Sequence, residues 1–463
     1  MPEQSVPART RLRPLARCVA AMFLIAQGAA HATAVTNCFD SGAGSLRSVI
    51  ANASSGGTVS MSGLTTDSPG CAQSRISLTT GEIKVKQDSL TIDGPGTDFI
   101  VSGKYYGAHP SIENARIFNH TGYGTLALEN FALRFGYVKS AQDSFATGGC
   151  IYSKKGTVSL TDMDISICRA VSPVYTASGG AVSAKNVKVM RSTLTGNAAT
   201  GGPYFLGLGA GGGYGGAIAF TGSLYMKYST LSGNSTGGFA ADGGAIFGSG
   251  SYAYIRNSTL TSNSALPSDS GAAVGSAIDV FAQDGDYSVM IVLNSTITGN
   301  TGGRSAVRAD ISRVNMYNST VAFNEGGGLT FFPNVNPGGV TLDSNILSNN
   351  GDDPSLPYDL YVDTSSTLTG ARNLVLATSN TLPADNIVGE CPLLGPLRDN
   401  GGVTQTLMLH SRSPAIDAGN NVYKNVSYDQ RGVQYARGSG PPDIGAYEVQ
   451  QDDIVFNAAF DGC

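Results

Sequence analysis

The chain has no tryptophan and only four histidines, and charged residues make up just 14% of its 463 positions. So little charge beside 41% apolar content excludes a disordered chain, which would carry more charge and fewer apolar residues. No apolar run approaches the ~20 residues that a membrane-spanning helix needs. Cys-x-x-Cys pairs and clustered histidines are missing, which argues against a cysteine-histidine metal centre. No phosphate loop, no nucleophile elbow and no Gly-x-Gly-x-x-Gly in a strand-to-helix context is placed convincingly, so nucleotide chemistry and acyl transfer have no motif to rest on. What abounds instead is glycine, at 61 residues, with Ser, Thr and Asn, a mixture suited to tight turns and small packed side chains.

The first residues read as an export signal. Arg9, Arg11, Arg13 and Arg17 form a basic segment, Val19 to Ala26 a short apolar one, and Ala30-His31-Ala32 and Ala32-Thr33-Ala34 two small-x-small cleavage sites. Residues 1–34 are therefore expected to be removed. That leader carries four Arg and one Glu, so the remainder has 25 basic and 33 acidic side chains and a net charge of −8. Such a surface does not favour nucleic acid, which wants a clustered basic face. Six cysteines remain, an even number suited to disulfides in an exported chain. Pairing between sequence neighbours is expected: Cys38–Cys71, Cys150–Cys168 and Cys391–Cys463.

One phrase recurs along the chain: Arg191-Ser-Thr-Leu-Thr-Gly-Asn197, Tyr228-Ser-Thr-Leu-Ser-Gly-Asn234, Asn257-Ser-Thr-Leu-Thr-Ser-Asn263, Asn294-Ser-Thr-Ile-Thr-Gly-Asn300 and Asn318-Ser-Thr-Val-Ala-Phe-Asn324. Degenerate copies span Asp162 to Cys168 and Asp343 to Asn349. A second phrase alternates with it, at Gly148-Gly-Cys-Ile, Gly179-Gly-Ala-Val, Gly215-Gly-Ala-Ile, Gly243-Gly-Ala-Ile and Gly275-Ser-Ala-Ile. Recurrence at roughly 30 residues signals a solenoid. The spacing inside each unit selects the kind. Seven residues before the central apolar position stand Val158, Val187, Leu224, Ala253, Met290 and Val314. Five before it stand Leu160, Val189, Met226, Ile255, Val292 and Met316. Apolar positions two apart are strand periodicity.

The expected fold is all-β, a right-handed parallel β-helix (a pectin-lyase-like solenoid) whose coils stack about 4.8 Å apart. Leu194, Leu231, Leu260, Ile297 and Val321 should form an inward ladder. The column Asn197, Asn234, Asn263, Asn300, Asn324, Asn349 reads as structural, because Asn tolerates left-handed turns and stacked amides bond from coil to coil. A stack exposes two unpaired ends that need covers. Leu46, Val49 and Ile50, at helical spacing within Ser45 to Ala53, predict a short N-terminal capping helix. The expected organisation is a cap and first strands over 35–80, the β-helix over 81–390, a C-terminal cap over 391–448 and a tail over 449–463.

The alternating Gly-Gly-Ala-Ile and Ser-Thr-Leu-x-x-Asn phrases resemble the repeats of polymorphic outer-membrane proteins and related right-handed β-helix proteins. Asp40-Ser-Gly-Ala-Gly-Ser-Leu-Arg47 looks like the segment that opens many such chains. Gly395-Pro-Leu-Arg-Asp-Asn-Gly-Gly402, Thr404-Gln-Thr406, Ser413-Pro-Ala-Ile-Asp-Ala-Gly419, Asp429-Gln-Arg-Gly432 and Pro442-Asp-Ile-Gly-Ala-Tyr-Glu448 resemble the choice-of-anchor domain family. These matches span most of the chain after the leader. The resemblance implies a bacterial surface or secreted protein, with outer-membrane association among the outcomes, and no particular activity. The chain departs from that family at its tail, which shows neither an apolar anchor followed by basic residues nor a Leu-Pro-x-Thr-Gly sorting motif.

Parallel β-helices include polysaccharide-cleaving enzymes, so the chain's acidic and basic residues bear on catalysis. Polygalacturonase-type sites bring an Asp-Asp pair and a Gly-His-Gly phrase. Here Asp-Asp occurs at Asp352-Asp353 and Asp452-Asp453, and His109, His120 and His410 lie outside any such phrase. A calcium-assisted lyase would want carboxylates around one cation and a basic residue. Asp279, Arg308 and Asp310 are the candidates, expected to face outward, with Asp284 and Asp286 in the adjoining loop. The plain alternative is a surface ion pair between coils, worth about 0–1 kcal/mol. A second outward column holds Lys188 and Met190, then Tyr225 and Lys227, then Tyr254 and Arg256. Stacking would set Tyr225 over Tyr254 and Lys227 over Arg256, either as a platform for sugar rings and acidic groups or as an aromatic ladder that stabilises the sheet.

The leading expectation is a non-catalytic exported protein that binds a polysaccharide or cell-surface glycan, in the manner of an adhesin. It needs no cofactor. The alternative is a polysaccharide lyase, with Ca2+ as its cofactor, or a glycoside hydrolase. A structural envelope component is the third reading.

Overall fold

The computed structural model describes residues 33–103, 115–141, 144–205, 209–250, 252–282, 286–335, 338–351, 358–420, 427–438, 440–450 and 453. The segment expected to act as an export signal and Cys463 thus lie outside the described residues, apart from Thr33 and Ala34, which pair in parallel with Val59 and Ser60. Among the described residues no helix is long and apolar enough to cross a membrane.

The chain winds as a right-handed parallel β-helix. One coil shows the plan. Ile246–Gly248 and Tyr252–Arg256 lie in a 19-stranded sheet, Thr259–Thr261 in a 12-stranded sheet, and Ser264–Val274 in a third sheet, before Ile278–Phe281 begins the next coil. Every one of these strands pairs in parallel with its counterpart in the following coil. Three corners join the strands, each marked by a left-handed residue. One column of such residues runs Arg191, Tyr228, Asn257, Asn294, Asn318, a second Gly196, Gly233, Ser262, Gly299, Phe323, and a third is the first glycine of each Gly-Gly phrase. At that third corner the position after the glycine is tight as well in most coils: a Cβ on Gly216 would stand 2.1 Å from the Gly244 carbonyl oxygen, although Ser276 fills the same place one coil beyond Gly244.

The predicted columns are in register. Leu194 pairs with Leu231, Leu231 with Leu260, Leu260 with Ile297, and Ile297 with Val321. All five are fully buried. The columns from Val158 to Val314 and from Leu160 to Met316 are likewise continuous. Burying each such side chain stabilises the stack by roughly 1.5–3 kcal/mol. The helix forms over Leu46–Asn52, capped by the Ser45 hydroxyl accepting from the Ser48 N–H, and sends Leu46, Val49 and Ile50 into the same core.

Two polar ladders run beside the core. Asn197 donates from both its backbone N–H and its side-chain Nδ2 to Asn234 Oδ1, and the same pair of bonds repeats from Asn234 to Asn263, Asn263 to Asn300 and Asn300 to Asn324. In a serine ladder through Ser192, Ser229, Ser258, Ser295 and Ser319, each backbone N–H donates to the hydroxyl of the serine one coil on. Both explain fixed letters of the repeated phrase as satisfied buried polar groups.

Two expectations about the Asn column need correction. Its members are not the left-handed residues; that conformation falls on the residue just before, such as Gly196 or Gly299. Its sixth member is Asn350, not Asn349: Asn324 donates to Asn350 Oδ1, while Asn349 is the left-handed residue. The slip arose because Ile346 and Leu347 are both apolar. Leu347 is the inward residue paired with Val321, and Ile346 faces outward.

Ile346 can be apolar because the described residues between 391 and 449 lie against that flank. The outward residues Thr259, Thr296, Thr320 and Ile346 are buried, whereas Thr193, in the same column, is exposed. Asn257 Nδ2 donates to the Asp429 and Gln430 carbonyls, and Thr259 to that of Gln405. Ala322, Ile346 and Leu374 pack with Leu394, Leu407, Leu409, Ile444 and Tyr447 in a second apolar cluster.

Cys38–Cys71 and Cys150–Cys168 are disulfides, as expected from sequence order. Cys391 is disulfide-bonded as well, but its expected partner, Cys463, lies outside the described residues.

Candidate functional site

Strand alternation decides which side chains leave the core. In Ile278–Phe281, Ile278 and Val280 point inward, so Asp279 and Phe281 point outward. In Ser305–Ile311 the inward residues are Val307, Ala309 and Ile311, leaving Arg308 and Asp310 outward; in Gly327–Pro333 the outward pair is Thr330 and Phe332. Register then builds two vertical rows: Phe247, Asp279, Arg308, Thr330, Tyr361, and beside it Phe281, Asp310, Phe332. Across the Gly-Gly corner stand Tyr214 and Asp242, themselves in register on the third sheet.

The structure brings Asp279, Arg308 and Asp310 together, but not as an exposed pair between coils. Arg308 bonds Asp310 within its own strand, at 2.5 Å. Asp279, expected at the surface, is only 4% exposed. Its side chain folds over the corner, where a Cβ on Gly275 would meet Asp279 Cβ at 2.8 Å. Burial, and secondarily the neighbouring Asp242 charge, hold its carboxyl well above the usual range. No hydrogen bond offsets that shift. Burial also raises Asp242, to about 6, against the opposing pull of Arg308, and raises Asp310 despite its bond to Arg308. The phenol of Tyr214 is pushed up by burial and by the charges of Asp242 and Asp279.

Aromatic rings frame these groups. Phe281 and Phe332 are 43% and 37% exposed, one coil to either side of Asp310. Phe332 meets Tyr361 with ring centroids 5.6 Å apart, and Tyr214 meets Phe247 at 4.7 Å. Chemically, the face offers carboxyl groups short of donors, one guanidinium, and apolar rings open to solvent. Among the described residues no group of three or more carboxylate, imidazole or thiol side chains is arranged to hold a metal ion. Asp284 lies outside the described residues. Sequence reading missed Tyr214, Asp242, Phe247, Phe281 and Phe332, although counting two residues past Asp279 would have reached Phe281.

The second expected column is in register too. Tyr225 pairs with Tyr254, and Lys227 with Arg256. The two rings lie 5.0 Å apart at 9°, so each covers a face of the other. Tyr254 is 9% exposed, and Lys227 Nζ sits 4.9 Å and 5.9 Å from the two ring centroids. Arg256 donates to Asn257 Oδ1. Lys188 is exposed, one coil before Tyr225. The stacked faces make a ladder that ties coil to coil.

Other conspicuous residues have structural duties. Asp40 accepts bonds from the N–H and hydroxyl groups of Thr79 and Thr80 and pairs with Arg47 at 2.8 Å. Burial would raise its pKa, but the bonds from Thr80, Arg47 and Thr79 outweigh it and bring the group to about 2. Arg47 also donates to the Gly81 and Glu82 carbonyls, so the opening motif ties the helix to the first coils. In the C-terminal motifs, buried Arg431 pairs with Asp429 at 2.7 Å and lies 3.9 Å from the ring centroids of both Tyr435 and Tyr447. Arg437 pairs with Glu448 at 3.0 Å and donates to Asn294 Oδ1 on the β-helix. A cleft of about 800 Å³ over the uncovered flank is lined by two closed ion pairs, Arg134–Asp164 and Arg191–Asp162. The chain matches no family model and no curated protein.

Proposed function

We propose that this is an exported protein, secreted or held at the cell surface, that binds a glycan along the outward face around Arg308 and Asp310, in the manner of an adhesin. The observation that carries this reading is the pair of solvent-exposed rings, Phe281 and Phe332, flanking a charged pair on consecutive coils. Their spacing is two coil repeats, ~9.6 Å, fixed by backbone pairing and therefore rigid. Rings held at set intervals beside hydrogen-bonding charges suit an extended sugar chain, whose apolar faces stack and whose hydroxyls bond. The basic, then apolar, first residues support export, as do disulfides, which persist outside reducing compartments. The likeness of the repeats to those of polymorphic outer-membrane proteins, and of the C-terminal motifs to the choice-of-anchor family, agrees with a surface role.

The test is retention on immobilised glycans by the Phe281→Ala/Phe332→Ala variant. Both side chains are exposed, so the fold should persist, and retention should fall about tenfold or more. Equal retention of variant and parent would refute the reading.

A second reading, a polysaccharide-cleaving enzyme, is favoured by one observation: a buried carboxyl, Asp279, beside the Asp242 and Asp310 carboxyls, as glycoside hydrolysis requires two placed carboxyl groups. Sustained release of reducing ends from a bound polymer would establish it over simple binding.

A further inference from the structure

Resting on the glycan-binding reading, we propose that the face takes a sugar chain bearing free amino groups, with an ammonium seated among Asp242, Asp279 and Asp310, and that it rejects uronate polymers. The argument is a count of partners. Asp279 is the register partner of Arg308 on consecutive coils, Asp310 stands two residues beyond Arg308, and Asp242 stands across the Gly-Gly corner, so the three carboxyl groups share one guanidinium, which is already bonded to Asp310 Oδ2. Asp310 Oδ1 is buried and accepts no hydrogen bond. Asp279, 4% exposed, accepts none either. A buried carboxyl oxygen without a donor, as Asp310 Oδ1 is, is a standing cost that native proteins seldom tolerate without use. An ammonium supplies three donors and one positive charge, and so answers both deficits at once. A uronate carboxylate would add a fourth acid to the same corner, and like charges there raise one another's energy. The exposed Phe281 and Phe332 supply what the acids cannot, apolar faces for the rings on either side of the amino sugar.

The experiment is calorimetric titration of the full chain with three probes: a glucosamine oligosaccharide, its fully N-acetylated counterpart, and a galacturonate oligosaccharide of equal length. The glucosamine chain should bind at least about tenfold more tightly than the acetylated one, and the galacturonate chain least. Because an ammonium would draw the buried acid into its ionised form, binding should release a proton, read from the dependence of the heat on buffer ionisation. Asp279→Asn should abolish that proton release and most of the preference, while Phe281→Ala should weaken all binding and leave the preference intact. Equal affinity for the free and acetylated chains, or tighter binding of galacturonate, overturns this inference but leaves glycan binding standing. No binding of any probe, with the surface-glycan test also negative, removes both.

Discussion

Removing one amide from the asparagine ladder should unfasten several coils at once. Asn263 is fully buried and makes four side-chain bonds. Its Oδ1 accepts from the Asn234 N–H at 3.1 Å and from Asn234 Nδ2 at 2.9 Å, and its Nδ2 donates to the Leu231 carbonyl at 3.0 Å and to Asn300 Oδ1 at 2.9 Å. At about 1 kcal/mol net for each bond, Asn263→Ala should destabilise the protein by about 4 kcal/mol. Leaving the Asn234 N–H buried without an acceptor adds to that figure. Asn263→Leu, which nearly conserves volume, should lose as much, because the loss is of polar partners and not of bulk. The exposed neighbour Ser262→Ala should change little. Urea unfolding followed by circular dichroism measures all three, tryptophan fluorescence being absent from this chain. Asn263→Ala and Asn300→Ala should also prove less than additive, since they share one bond. A midpoint shift for Asn263→Ala no larger than that of Ser262→Ala, at equal slope, would refute the reasoning.

Two further outcomes follow from the corners and the ladder's end. Ile167 holds φ +57° while 37% exposed, at the corner position that Gly196, Gly233 and Gly299 occupy in later coils. The left-handed conformation is unfavourable for a β-branched residue by roughly 1–2 kcal/mol, so Ile167→Gly should raise stability by about 1 kcal/mol in the same urea assay. Asp359 ends the asparagine ladder, accepting from the Asn350 N–H, Asn350 Nδ2 and the Ala377 N–H, yet burial outweighs these bonds and lifts its pKa to about 6. A carboxyl raised in the folded state contributes stability that is complete below its unfolded value of 3.8 and is lost as pH rises through about 6. Asp359→Asn should flatten that stretch of the stability profile between pH 4 and pH 7 (roughly the window set by the two values), seen as melting temperature against pH.

The architecture was legible because inward positions repeat. Val158 to Val314 and Leu160 to Met316 hold the same side in every coil, and the core admits little besides aliphatic side chains there, so periodicity carries the signal. The flank and the site were less legible, for one shared reason. Outward positions answer to whatever lies beside them, and that differs from coil to coil. Ile346 is apolar because a distant segment covers it, and this alone displaced the last asparagine by one. Asp279, Arg308 and Asp310 were found from sequence because charge is rare in the repeats. Tyr214 and Asp242 escaped because they reach the site across a corner whose fold-back only coordinates reveal. The Tyr225 column was placed correctly in register, but sequence could not say whether its rings turn outward or lie on one another.

The clasp of residues 391–449 over the β-helix has a consequence for the order of assembly. Asn257 meets carbonyls 172 and 173 residues further along the chain, whereas rungs of the stack join residues a single coil apart. Coils can therefore settle one upon the next as the polypeptide emerges, but the clasp must wait until the whole solenoid has passed. A part made after the coils thus seals their middle. A chain halted at the end of the β-helix, before residue 391, would keep its rungs and leave Thr259, Thr296 and Thr320 open to water, a half-dressed flank.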